Sequence, residues 1–135
     1  MPLIQWTDAL SVNVKKFDDQ HKKLVQYIND LHDAMRAGQG QAAMGPILKN
    51  LVDYTKTHFA EEENLMQLHK YPGYLTQKTQ HTKLVSEVQR IEKEFASGSK
   101  ALTIEVMNFL KSWLTDHIQK TDKSYSTFFA EKGVK

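Results

Sequence analysis

With 135 residues, 40% hydrophobic and 25% charged, the chain has room for one average domain with a real core and too little for two. Its 18 basic and 16 acidic residues give a net charge of +2, too even for a strongly basic nucleic-acid binder, and no apolar run exceeds three residues, which excludes a transmembrane helix. Because cysteine is absent, disulfides, thiolate catalysis and thiolate-held metals are excluded, and any metal must sit on histidine, carboxylate or amide.

Residues 1–17 carry no helical periodicity and are expected to form an extended arm, with Trp6 packing on the rest. A first helix is predicted to open at Asp18 as N-cap, with His21, Leu24, Ile28, Leu31 and Met35 on one face. A second carries Ile47, Leu51, Tyr54, His58, Glu62, Leu65 and Met66, with Pro46 tolerable only in its first turn. The third repeats without a gap through Tyr74, Gln77, His81, Leu84, Val88, Ile91 and Phe95. A fourth, from near Ser99, shows Met107, Leu110, Leu114 and His117, and a short fifth is expected around Tyr125 to Ala130. Glycine and proline fall between these segments, at Gly38-Gln39-Gly40, Gly45-Pro46, Tyr71-Pro72-Gly73 and Ser97-Gly98-Ser99. The expected class is all-α: an antiparallel up-down-up-down four-helix bundle with an N-terminal extended arm and a short C-terminal helix, forming one domain over 1–135. The N-terminus lacks the basic region and apolar stretch of a secretory signal, so a cytoplasmic location is expected.

Polar residues interrupt every one of these apolar stripes: His21, then His58 and Glu62, then Gln77 and His81, then His117. One histidine on an apolar face is usually a hydrogen-bonded core residue. Four of them with a glutamate are another matter, since each unpartnered buried polar group costs about 1–3 kcal/mol. A shared metal centre is the simplest compensation. His58 and Glu62 lie four apart on one face, as do Gln77 and His81. His117 and Asp122 lie five apart, roughly 140° out of register at about 100° per residue, so Asp122 reaches the site only if the helix bends or ends between them. Nitrogen and carboxylate donors without sulfur suit iron, manganese or zinc, and they are too many for one tetrahedral zinc. Two divalent ions facing two carboxylates and a bridging hydroxide would leave about one unit of net positive charge, which is far cheaper to bury than bare cations.

At these motifs the sequence resembles the hemerythrins, most closely the single-domain bacterial ones. The resemblance rests on Ile4-Gln5-Trp6, Asp19-Gln20-His21-Lys22, Ile28-Asn29-Asp30-Leu31 and His58-Phe59-Ala60-Glu61-Glu62. It continues through Tyr71-Pro72-Gly73-Tyr74, His81, Trp113-Leu114-Thr115-Asp116-His117-Ile118 and Asp122. A member of this family is among the known helix bundles that inform the fold expectation. The resemblance implies two non-haem irons with a bridging oxo or hydroxo group. By position, His21 and His58 would hold the iron that stays open to oxygen, Glu62 and Asp122 would bridge the pair, and His81 and His117 would hold the second iron. The family's third histidine on that iron is replaced here by Gln77. Its amide oxygen is a poorer donor than imidazole. It would ligate weakly, hydrogen-bond to a metal-bound water, or swing away. With every other motif intact and one base separating His from Gln codons, the departure reads as a single ligand swap, engineered or mutational, rather than a natural variant with altered chemistry. His69, before the Tyr71-Pro72-Gly73 break and twelve residues from His81, is a poor substitute.

Other residues receive plainer readings. Glu61 and Glu63 are expected to be solvated, His32 to sit at the surface or boundary, Trp113 in the core, and Leu114 near the site. The lysine pairs 15–16 and 22–23 read as surface charge. The function implied by the resemblance is reversible dioxygen binding for storage, transport or delivery. Carboxylate-rich di-iron enzymes use Glu-x-x-His motifs, none of which occurs here, so the protein is expected not to be an enzyme. The alternatives are weak peroxidase activity, an iron-binding module, or an oxygen or redox sensor, for which 135 residues leave no output domain. The expected partners are dioxygen and an oxygen-consuming protein, with no nucleic acid and no membrane insertion, and the expected state is a monomer.

Overall fold

The computed structural model describes residues 3–38, 41–98 and 104–134, with backbone alone at 41–43 and 121. The elements are α1 (Lys15–Arg36), α2 (Gln41–Leu68), α3 (Tyr74–Ala96), α4 (Ile104–Asp116), a π-helical turn (His117–Asp122) and α5 (Lys123–Glu131). No strand occurs among the described residues.

Cross-helix pairs give the directions. Lys16 meets Glu61 at 3.1 Å and Tyr27 meets Tyr54 at 5.7 Å between ring centroids, so α1 and α2 run antiparallel. His81 and His117 rings lie 5.2 Å apart, and Trp113 Nε1 donates to the Leu84 carbonyl at 3.1 Å, so α3 and α4 also run antiparallel. The bundle is therefore the expected one.

The stripe on α3 is buried as expected, from Gln77 through Phe95, with Tyr74 half-buried. Met107, Leu110 and Leu114 on α4 are buried too, as is Trp113, whereas the expected start near Ser99 lies outside the described residues. On α2 the buried line is shifted. Leu48, Val52, Thr55 and Phe59 are fully covered, while Ile47, Tyr54 and Leu65 are half-buried. This helix packs against both α1 and α3, so its covered arc is wider than a single stripe.

Three boundaries depart from expectation. Helix α1 starts at Lys15, not Asp18, with Val14 at the N-cap. Asp18 instead turns its carboxylate back to the arm, accepting from Ser11 Oγ at 2.6 Å and from the Val12 N–H at 2.8 Å. Asp18→Ala should therefore cost about 1–2 kcal/mol in chemical denaturation of the metal-free chain. A smaller loss than about 0.3 kcal/mol would mean that these bonds hold nothing. Pro46 lies in the second turn of α2 rather than the first, forfeiting one i→i−4 bond. The expected fourth and fifth helices are not separated by a break: between His117 and Asp122 the chain neither ends its helix nor turns away, but passes through the π-turn directly into α5.

The arm carries no regular structure apart from a 3-10 turn at Asp8–Leu10, and it bends at Asn13, whose φ is 60°. Asn29 holds it at both backbone groups of Ile4, accepting from its N–H and donating to its carbonyl, each at 2.9 Å. Trp6 packs on the core with the Lys22 ammonium 5.3 Å from its ring centroid. At the α2–α3 turn the Tyr71 ring covers Gly73 so closely that a Cβ there would meet it at 2.7 Å. The Tyr71 hydroxyl also lies 2.9 Å from Ser124 Oγ, tying this turn to α5.

Candidate metal centre

All seven residues singled out from the sequence are buried: His21, His58, Glu62, Gln77, His81, His117 and Asp122. Six of them form two groups, His21–His58–Glu62–Asp122 and Glu62–His81–His117–Asp122, within each of which the donor atoms lie within 4.8 Å of one another. The groups share Glu62 and Asp122. Gln77 is 1% exposed, one turn before His81 on α3, so it faces into the bundle rather than out to solvent.

Asp122 is where helical geometry departs from the α pattern. In a π-turn the N–H of one residue reaches the carbonyl five before it, a looser winding that brings residues five apart nearer to one face than an α-helix does. His117 and Asp122 are the first and last residues of such a turn. The misalignment expected of a regular α-helix is thereby reduced, and His117 Nε2 lies 2.9 Å from Asp122 Oδ1. The other Asp122 oxygen is 3.2 Å from His21 Nε2, so the two oxygens face histidines of different groups. Glu62 Oε1 lies 3.4 Å from His58 Nε2 and 3.3 Å from His81 Nε2, and its Oε2 lies 3.6 Å from His21 Nε2.

These atoms are close, yet they do not satisfy one another. The Nε2 atoms of His21, His58, His81 and His117, together with Glu62 Oε1 and both Asp122 oxygens, are buried without a hydrogen-bond partner. Donor atoms left orphaned at one point by α1, α2, α3 and the π-turn are what a buried cation pair would satisfy. The residues present fit such a group. Imidazole and carboxylate suit iron, and the shared carboxylates suit two ions side by side.

The electrostatics agree. Burial alone would strip a proton from His21, but the Asp122 and Glu62 carboxylates overcome it and raise its pKa to about 9. Burial opposes charge on Glu62 as well, and the surrounding histidines (His58 foremost) hold it well below the usual carboxylate range. Asp122 is lowered in the same way, by His117 and His21 against burial and the Glu62 charge. His81 is raised by Glu62, Glu63 and Asp122 against burial. The site is thus strongly cation-seeking.

Several residues that shape the site were not singled out from the sequence. His58 Nδ1 lies 2.5 Å from Gln20 Oε1, and Gln20 Nε2 in turn donates to Glu61, which also pairs with Lys16. His81 Nδ1 lies 2.8 Å from Glu63 Oε2. Glu61 and Glu63 are therefore not simply solvated, as the sequence suggested. Glu63 reaches across to the His81 imidazole on α3 directly, whereas Glu61 reaches across to Gln20 on α1, which returns to His58 on Glu61's own helix. Such outer partners fix ring orientation and raise ligand basicity. Tyr125 donates to Glu62 Oε2 at 2.5 Å, and burial followed by the Glu62 and Asp122 charges pushes its hydroxyl well above its ordinary pKa. The Phe59 ring stacks on His81 at 3.8 Å and 3°. His32 is buried, not at the surface, because α1 is covered by α2, α4 and the arm together.

Residues 12–128 match the Hemerythrin HHE cation binding domain family. A bacteriohemerythrin of Methylococcus capsulatus is 36% identical over 126 residues, covering 93% of this chain and 95% of that protein. One from Stenotrophomonas maltophilia is 33% identical, covering 93% and 81%. A solved wild-type hemerythrin superposes with a TM-score of 0.85 at 36% identity, covering 93% of this chain and 96% of that one.

Proposed function

Since this chain belongs to the hemerythrin family, a family of di-iron proteins, we propose that it stores, transports or delivers dioxygen, binding it reversibly at a non-haem di-iron centre. The observation that carries this reading is the convergence of seven unpartnered buried donor atoms from α1, α2, α3 and the π-turn. In it, His21 and His58 would hold one iron and His81 and His117, with either Gln77 or water, would hold the other, and Glu62 and Asp122 would be shared between them. When bound, the iron pair supplies the two electrons that oxygen binding needs.

The protein's own part is to hold, orient and keep dry. Tyr125 fixes Glu62 from one side, and Gln20 and Glu63 fix two of the imidazoles. Phe17 and Phe59 wall the histidines off from water, Phe17 lying 6.0 Å from His58 between ring centroids. The protein is read as a binder rather than an enzyme, because each ionisable side chain in this centre is taken up in holding the pair. No described helix is long and apolar enough to cross a membrane. Solvated ion pairs such as Lys15–Asp19 and Lys49–Asp53 along the outer faces of α1 and α2 support a monomer. A cytoplasmic setting and an oxygen-consuming recipient complete the proposal, as does the extension of one domain over 1–135, supported by the arm's packing on α1.

The test is iron analysis and the optical spectrum of the reduced protein under argon, in air, and under argon again. Two irons per chain and a spectrum that appears and reverses are expected. Zinc alone, or no metal retained, would sink the reading.

A further inference from the structure

The two imidazoles with identified outer partners are not held alike. His58 Nδ1 faces a neutral amide, Gln20 Oε1, so the Glu61 carboxylate acts on it only at one remove. His81 Nδ1 bonds a carboxylate directly, Glu63 Oε2 at 2.8 Å. The Glu63 side chain keeps 20% exposure, in a cleft between α2 and α3 that Lys56 and Lys78 also line. His81 shares α3 and one helical face with Gln77, the residue with the weaker donor atom. The direct carboxylate therefore stands on the side of the centre where the inner donors are poorest.

We infer that Glu63 is a positioning residue whose bond to His81 Nδ1 strengthens that imidazole as a donor and so offsets Gln77 on the same metal ion. The inference rests on the di-iron reading above. A carboxylate accepting from Nδ1 draws the N–H proton towards itself and leaves more electron density at Nε2, the atom that faces the centre. Gln20 gives His58 a weaker version of the same help.

The test uses the full chain, stripped of metal and reloaded anaerobically with iron(II) or cobalt(II), as wild type, Glu63→Gln, Gln77→His and the double variant. Glu63→Gln keeps an acceptor of the same shape and removes the charge. Release of the first ion to a chelator should be about 10- to 100-fold faster in Glu63→Gln than in wild type. In the Gln77→His background the same substitution should change release by less than about threefold, because the two positions are coupled. Glu63→Asp should fall between wild type and Glu63→Gln. In the cobalt-loaded protein, one shifted imidazole N–H proton resonance should move on Glu63→Gln while the others stay. Equal release from wild type and Glu63→Gln would overturn the inference. So would an equal factor in both backgrounds, or a metal-free Glu63→Gln chain that no longer folds, since Glu63 would then act on the fold. A wild type that saturates below two ions per chain would instead overturn the di-iron reading itself.

Discussion

Glu62→Ala is expected to empty the centre of both metal ions, because it removes the one carboxylate within reach of three of its histidines. A ligand present at about a thousand times its dissociation constant stabilises the folded chain by about 4 kcal/mol. At this length, losing that much lowers Tm by about 10–20 °C. Calorimetry of wild type and variant with iron should show that gap, and a chelator should narrow it. Metal analysis reads the cause directly. A variant that keeps two ions per chain with an unchanged Tm would show that Glu62 does not join the pair.

Phe129→Ala is expected to cost about 3–5 kcal/mol in the metal-free chain, the range for emptying an aromatic site in a packed core. Phe129 is fully buried at the meeting point of Phe17, Tyr71, Tyr125 and Phe128, with ring centroids 6.3, 6.3, 5.1 and 5.8 Å away. This cluster clamps α5 to α1 and to the α2–α3 turn. Since α5 continues from the π-turn, the clamp also seats Asp122. Denaturation by guanidinium in the presence of chelator isolates the packing contribution. A loss under about 1 kcal/mol would mean that α5 is held elsewhere.

Helix α3 is the most legible part of the sequence, because a single uninterrupted stripe faces inward and, Leu75, Val85 and Ala96 aside, polar residues occupy the remaining positions. On α2, burial by two neighbours blurred the periodicity, so Leu48, Val52 and Phe59 were missed beside His58 and Glu62. The histidines and Glu62 stood out because a polar residue on an apolar stripe is conspicuous. Gln20, Glu61 and Glu63 did not, since polar residues at the edge of a stripe look solvated until the helix opposite is in place. Two local signals were available: Gln20 adjoins His21, and Glu61 and Glu63 adjoin Glu62. Tyr125 follows Asp122 by three residues and likewise needed the fold to bring it to Glu62. Asp122 itself called for a π-turn, and nothing in the side chains of His117–Asp122 announces one. Its necessity appears only when the aspartate is required to face the same point as the histidine.

The contact between His21 and Asp122 has a topological consequence. These residues come within 3.2 Å of each other, although nearly the whole bundle lies between them in the chain. An ion held by both would fasten the first long helix to the last turn and turn an open string of helices into a ring. A covalent crosslink closing a loop of about a hundred residues deprives the denatured ensemble of entropy worth about 4–5 kcal/mol in the chain-entropy treatment. In a chain with no cysteine, coordination is the chemistry left to make such a closure, and unlike a disulfide it needs no oxidising environment.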